Sequence, residues 1–97
     1  LILKDSTDQI CSKEKTLICS SEGSKKRTGG IGDILSGVIA AFSGRVKGKD
    51  ARLSACYTAC KVVRDASKES YQQYFWSISS TAILKSLPKA INKILPL

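Results

Sequence analysis

A chain of 97 residues can build one small domain with a modest core, and its 42% apolar and 25% charged residues are a globular composition, not a disordered one. Sixteen Lys and Arg against eight Asp and Glu give a net charge of +8, which favours anionic partners, while the apolar runs are too short to span a membrane. Four cysteines without CxxC spacing and no histidine argue against zinc and for buried thiols in a reducing compartment.

The chain starts on the apolar triplet Leu1-Ile2-Leu3, without Met and without the basic, long apolar and small-residue regions of a signal peptide. It is expected to be a piece of something longer. Residues 1–4 read as a short buried strand, 5–8 as a polar turn, 9–11 as a second strand, 12–15 as another turn and 16–19 as a third strand. That order predicts an antiparallel meander at the edge of a larger sheet. Residues 21–32 form a loop rich in Ser, Gly and Lys.

From residue 33 the pattern becomes helical. Ile34, Leu35, Val38, Ile39 and Phe42 share one face, and Gly44 is placed to stop the helix. A basic connection, 45–49, leads to Asp50 as N-cap of a second helix over roughly 51–67. Residues 68–79 read as irregular or partly helical. Ser79, Ser80 or Thr81 caps a third helix over about 82–95, which Pro88 should kink or divide. Three edge strands followed by three helices cannot cover their own apolar faces, so a larger α/β layer structure is expected around them.

The loop Gly29-Gly30-Ile31-Gly32-Asp33 opens the first of these helices. The first N–H groups of a helix lack internal partners and carry the positive end of its dipole. Glycines let a phosphate approach that backbone closely, and Lys25, Lys26 and Arg27 add full positive charges upstream. The spacing is not that of a P-loop, because Val38-Ile39 follows Gly37 where Lys and a hydroxyl are needed. It is not a dinucleotide fingerprint either, because Leu35 stands at the third glycine. Asp33 repels a phosphate, so it needs its own reason. It is either a first-turn helix residue or a base that takes a proton from a hydroxyl attacking the cradled phosphoryl group.

The string GGxGDxLSG at 29–37, behind a basic loop, resembles the anion-hole motif of ribokinase-like kinases. Within that superfamily it is most similar to the ATP-dependent NAD(P)H-hydrate dehydratases of eukaryotic type. LKDSTDQI at 3–10, CSSEGSKKRTGGIGDILSG at 19–37 and ARLSACYTACKVVRDAS at 51–67 all resemble segments of that family. The resemblance implies the C-terminal part of a single ribokinase-like three-layer αβα domain, with the substrate-pocket motifs of the N-terminal part outside this chain. On this reading the chain alone is not a competent enzyme.

The implied activity is repair of nicotinamide cofactors: ATP phosphorylates the hydroxyl of the (6S) hydrate of NADH or NADPH, and phosphate is then eliminated. Lys4, Asp5, Ser6, Thr7 and Asp8 match the family's first ATP segment. Gly23, Ser24, Lys25, Lys26, Arg27, Thr28, Gly29, Gly30, Ile31 and Gly32 match the second. Asp33 matches the general base that contacts the hydrate, and Mg²⁺ accompanies ATP. Asp5 stands where the family has Gly, Ile31 where it has Gln, and Ala82 where it has a capping Asp. The rivals are a ribokinase-like vitamin-precursor kinase and a nucleotide-binding remnant without catalysis.

Read without the resemblance, Lys4 is a solvated strand end, Asp8 a turn residue, and 25–27 a solvated loop. Ser36 and Gly37 are helix-packing residues and Trp76 is a packing or interface anchor. The scattered cations make a solvated basic surface rather than a nucleic-acid groove. Partners are therefore the small-molecule hydrate and the rest of the same domain, with no nucleic acid and no membrane; a homo-oligomer is compatible with this reading. A cytoplasmic location is expected, and a mitochondrial form is compatible as well.

Overall fold

The computed structural model describes residues 2–4, 7–24, 29–45, 51–75 and 78–94, with the backbone alone at Lys4. Three strands come first: β1 (Ile2–Lys4), β2 (Asp8–Cys11) and β3 (Thr16–Cys19). Three helices follow: α1 (Ile31–Ser43), α2 (Ala51–Tyr74) and α3 (Ser80–Ile94). The expected α/β class and the antiparallel meander are both present, in the order β1-β2-β3.

Strand alternation sets which side of the sheet is covered. Ile2 pairs with Ile10 and Ile10 with Leu17; Lys4 pairs with Asp8 and Asp8 with Cys19. Paired residues share a face, so these rows lie on one side. Asp8, Ile10 and Cys19 from those rows are buried, and α2 packs against β2 and β3. The row Leu3–Gln9–Ile18 lies on the other side. There Leu3 is 50% exposed and Ile18 57%, so this small sheet is hydrophobic on both faces but covered on one.

Helix α2 is the centre of the structure, because the sheet, α1 and α3 all pack on it. Its buried positions are mostly small, including Ala55, Ala59, Ala66, Ser67 and Ser70, which lets the neighbouring elements approach closely. The core gathers Ile10, Cys19, Leu35, Val38, Val62, Val63 and Ile83 around them. Cys19 and Cys60 lie in that core, Cys56 packs at its margin and Cys11 is part-buried, with no disulfide among the described residues.

Three local expectations are corrected, the first being the loop over 21–32 and a helix from 33: α1 already starts at Ile31, because Gly30 turns the chain into it. Helix α2 does not end near residue 67 but runs to Tyr74. Its last two turns contain no Gly or Pro, and their polar groups are used in tertiary contacts. Lys68 pairs with Glu22 at 3.1 Å and Glu69 with Lys89 at 2.9 Å. The buried Ser70 hydroxyl donates to the Ala82 carbonyl at 3.0 Å and shares a second hydrogen bond with Ser86 Oγ at 2.9 Å. The helix stops at Phe75, which adopts a left-handed φ of 51° and stacks edge-on against Tyr71.

Helix α3 is not divided at Pro88; it continues to Ile94 as one element. Its cap is as expected, with Ser79 Oγ accepting from the Ala82 N–H at 3.2 Å. Gly44 does end α1, but in a right-handed conformation, φ −74°, so the stop does not use glycine's special freedom. The Asp50 cap, the connection beyond Arg45, Trp76 and Leu95 lie outside the described residues.

The Glu69–Lys89 pair carries a pH prediction. The hydrogen bond from Lys89, then the charges of Lys89 and Lys93, hold the Glu69 carboxyl below the usual carboxylate range. A carboxylate with a lowered folded pKa stabilises the fold above its unfolded value, about pH 4.3, and loses that contribution as pH falls through the folded value. Glu69 is exposed, so the effect is small and screened by salt. Comparing urea midpoints of wild type and Lys89→Ala between pH 7 and pH 2 should show a slight gap at neutral pH that closes in acid.

Candidate functional site

The glycine loop meets α1 at Gly30, whose φ of +88° puts the backbone in the left-handed region. Among the described residues no side chain caps the helix there, and the first intrahelical bond is Ile34 N–H to Gly30 O at 3.1 Å. The N–H groups of Ile31, Gly32 and Asp33 therefore precede the helix's own ladder, at the positive end of its dipole. Gly29 and Gly32 are exposed, and among the described residues a Cβ built at either meets nothing within 4 Å. None of the described residues thus closes the cradle on the side from which an anion would approach.

The two neighbouring glycines of this loop have different duties. A Cβ at Gly30 would sit 3.3 Å from Ser80 Cβ, so the start of α3 rests directly against the start of α1. A non-glycine residue in left-handed backbone costs about 1–2 kcal/mol before that contact is counted. Gly30→Ala should lower the unfolding free energy by at least that amount. Gly29→Ala should stay within about 0.5 kcal/mol of wild type. Chemical denaturation of the two variants side by side checks the contrast.

Asp33 lies in the first turn of α1 with its side chain exposed, next to the open backbone of Gly32. Ile34 and Leu35, immediately after it, are buried and anchor that turn in the core. Ser36 Oγ donates to the Gly32 carbonyl at 2.9 Å, closing the turn from below. Burial of one helix face thus leaves Asp33 and the glycines on the other.

The second element of the site is an ion pair. Asp8 is the first residue of β2, not part of a turn, and is fully buried. Arg64 of α2 grips it with two bonds, Nε to Oδ2 at 2.7 Å and Nη2 to Oδ1 at 2.8 Å. This side-by-side geometry is the strong form of a carboxylate–guanidinium contact. The bond to Asp8, opposed by burial, makes Arg64 hold its proton more tightly than an ordinary arginine. Arg64 Nη1 also donates to the Ser21 carbonyl at 3.3 Å.

Arg64 has helpers along α2. Lys61 Nζ donates to Ser21 Oγ at 3.3 Å, and Lys68 pairs with Glu22. Positions 61, 64 and 68 lie on one helix face, so α2 holds the stretch leading into the glycine loop by three cations in a row. Gly23 lies along the Arg64 stem; a Cβ there would meet Arg64 Cγ at 3.7 Å, an ordinary contact.

Of the residues matched to ATP segments, the structure places Thr7, Asp8, Gly23, Ser24, Gly29, Gly30, Ile31 and Gly32, together with the Lys4 backbone. Asp5, Ser6, Lys25, Lys26, Arg27 and Thr28 lie outside the described residues. The cradle and Asp33 are adjacent, as their spacing requires. Sequence reasoning gave Arg64 no role; the only hint was its place in the 51–67 segment, since its partners are distant in the chain.

A profile of the NAD(P)H-hydrate dehydratase family matches residues 1–89. The chain belongs to this family. It is 30% identical over 97% of its length to the ATP-dependent (S)-NAD(P)H-hydrate dehydratase of Danio rerio, covering 31% of that protein. It is 28% identical, again over 97% of its length, to the proteins of the same name from Mus musculus and Homo sapiens, covering 30% and 29% of them. The chain thus spans about a third of the length of these curated relatives. The α/β arrangement of this family member is that of a ribokinase-like segment, in line with the resemblance carried by its motifs.

Proposed function

We propose that this chain supplies the phosphate cradle and the general base of an enzyme that dehydrates the (S) hydrate of NADH or NADPH at the expense of ATP. The observation that carries the reading is the open, left-handed glycine turn at the start of α1 with Asp33 exposed in the first helical turn. Membership of the hydrate dehydratase family supports it.

The terminal phosphate of MgATP fits against the N–H groups of Ile31 to Asp33, where glycine side chains do not obstruct it. ATP supplies a transferable phosphoryl group, which turns the hydrate's hydroxyl into a leaving group. Asp33 takes the hydroxyl proton as the oxygen attacks the γ-phosphorus and the bond to the β–γ bridging oxygen breaks. The cradle's N–H groups hold the charge that develops on the phosphoryl oxygens. The C–O bond of the phosphorylated hydrate then breaks and phosphate leaves with the electron pair. A proton lost from the adjacent ring carbon completes the double bond. Mg²⁺ needs few protein ligands when it travels with phosphates, so it enters as part of MgATP.

ADP formation separates this reading from its rivals. In the longest natural chain that carries this sequence, ADP release from MgATP should be stimulated by NADH hydrate and not by vitamin-precursor alcohols. Stimulation by the alcohols alone would make the protein a kinase of the related type. MgATP binding with no stimulated ADP release would make it a nucleotide-binding relative without turnover.

A further inference from the structure

We propose that Arg64 is a positioning residue for nucleotide binding, which fixes the two nucleotide segments relative to each other without touching the nucleotide itself. The proposal rests on the reading of the glycine cradle as the ATP site.

The two segments matched to ATP are separate in sequence, one ending at Asp8 and the other beginning at Gly23. The first is bonded directly to the Arg64 side chain, and the second is approached through Ser21, two residues before Gly23. The Arg64 fork takes the Asp8 carboxylate with Nε and Nη2, at 2.7 and 2.8 Å. Its remaining nitrogen takes the Ser21 carbonyl at 3.3 Å, and its stem lies against Gly23. The Arg64 side chain is 14% exposed and the Asp8 carboxylate is fully buried, so the pair faces the protein interior rather than a ligand. Asp8 is paired across the sheet with Lys4 on one side and Cys19 on the other. The fork therefore reaches all three strands through one residue.

The geometry explains why the residue is arginine. A guanidinium is planar and can bind a carboxylate with two parallel bonds while a third N–H points elsewhere. A lysine ammonium is a single point on a flexible stem. It could keep the charge next to Asp8 or reach Ser21, but it could not fix both at set angles. Lys61 and Lys68 can still hold Ser21 and Glu22 if Arg64 is changed. Loss of the fork should thus loosen the spacing of the segments without releasing the loop entirely.

The test uses Arg64→Lys in the longest natural chain, with wild type beside it. MgATP affinity is measured by calorimetry, kinetics give KM for both substrates and kcat, and amide exchange is followed along the chain. The expected result is MgATP binding weakened about tenfold, the size of losing one hydrogen bond to a charged group. The KM for hydrate and kcat at saturating MgATP should stay within about twofold of wild type, a margin well inside tenfold discrimination. Exchange should quicken at residues 20–24 and not across the helices. Asp8→Asn, which keeps the shape and removes the charge, should weaken MgATP in the same direction.

Arg64→Lys binding MgATP as well as wild type would overturn the proposal alone. Equal weakening for both substrates, with faster exchange throughout the chain, would make Arg64 a general stability residue and also overturn it. Wild-type protein that binds no MgATP would remove the reading on which the proposal rests, a result visible before any variant is compared.

Discussion

If the proposed dehydration is the reaction, replacing Asp33 by Asn in the longest natural chain is expected to lower its kcat by about 10²–10⁴, the usual worth of a general base. MgATP affinity should not fall, because the cradle is backbone and Asn, almost the size of Asp, removes the charge that repels the phosphate. Asn is also well tolerated near helix starts, so the turn should remain folded. Asp33 is exposed and followed by two buried residues, so the helix directs its side chain outward. The effect should therefore appear in kcat and kcat/KM alike, as for a group that acts in the transition state. A fall in folded protein instead would reassign Asp33 to helix stability.

The second large effect concerns folding. Asp8→Ala takes away the carboxylate that Arg64 binds with both Nε and Nη2 and leaves a mostly buried guanidinium behind. Breaking a buried pair from one side costs about 3–5 kcal/mol, a large share of the roughly 5–15 kcal/mol that holds a domain together. The urea midpoint should drop accordingly. Changing Arg64→Met as well should recover part of the loss, because no buried charge then remains. Additive losses in the double variant would mean that the two side chains stabilise the fold independently.

The three strands and α1 were legible because alternation and the i, i+4 pattern directly express which face is buried. The glycine cradle was legible because backbone freedom at a helix start has few other uses. Residues 68–74 were not, since Lys68, Glu69 and Ser70 have polar side chains whose partners, Glu22, Lys89, Ala82 and Ser86, lie far along the chain. Phe75 gave no stop signal, because a left-handed helix end usually announces itself with glycine or asparagine. Asp8 carried the signature of a turn beside Ser6 and Thr7, and only the fold reveals the arginine that makes it a strand residue. Pro88 shows the opposite case: a local breaker that does not divide α3.

These differences share a cause. Local pattern reports what a segment buries, but not what its polar groups meet. The site depends on both: the cradle at residues 29–33 is local, whereas the frame that holds its approach is built by α2 and the sheet.

The most direct measurement is recovery of dihydronicotinamide absorbance from NADH hydrate by the longest natural chain, with and without MgATP. The expected result is recovery that requires MgATP and releases one phosphate for each dihydronicotinamide restored. MgATP bound at the cradle with no recovery of absorbance would contradict it.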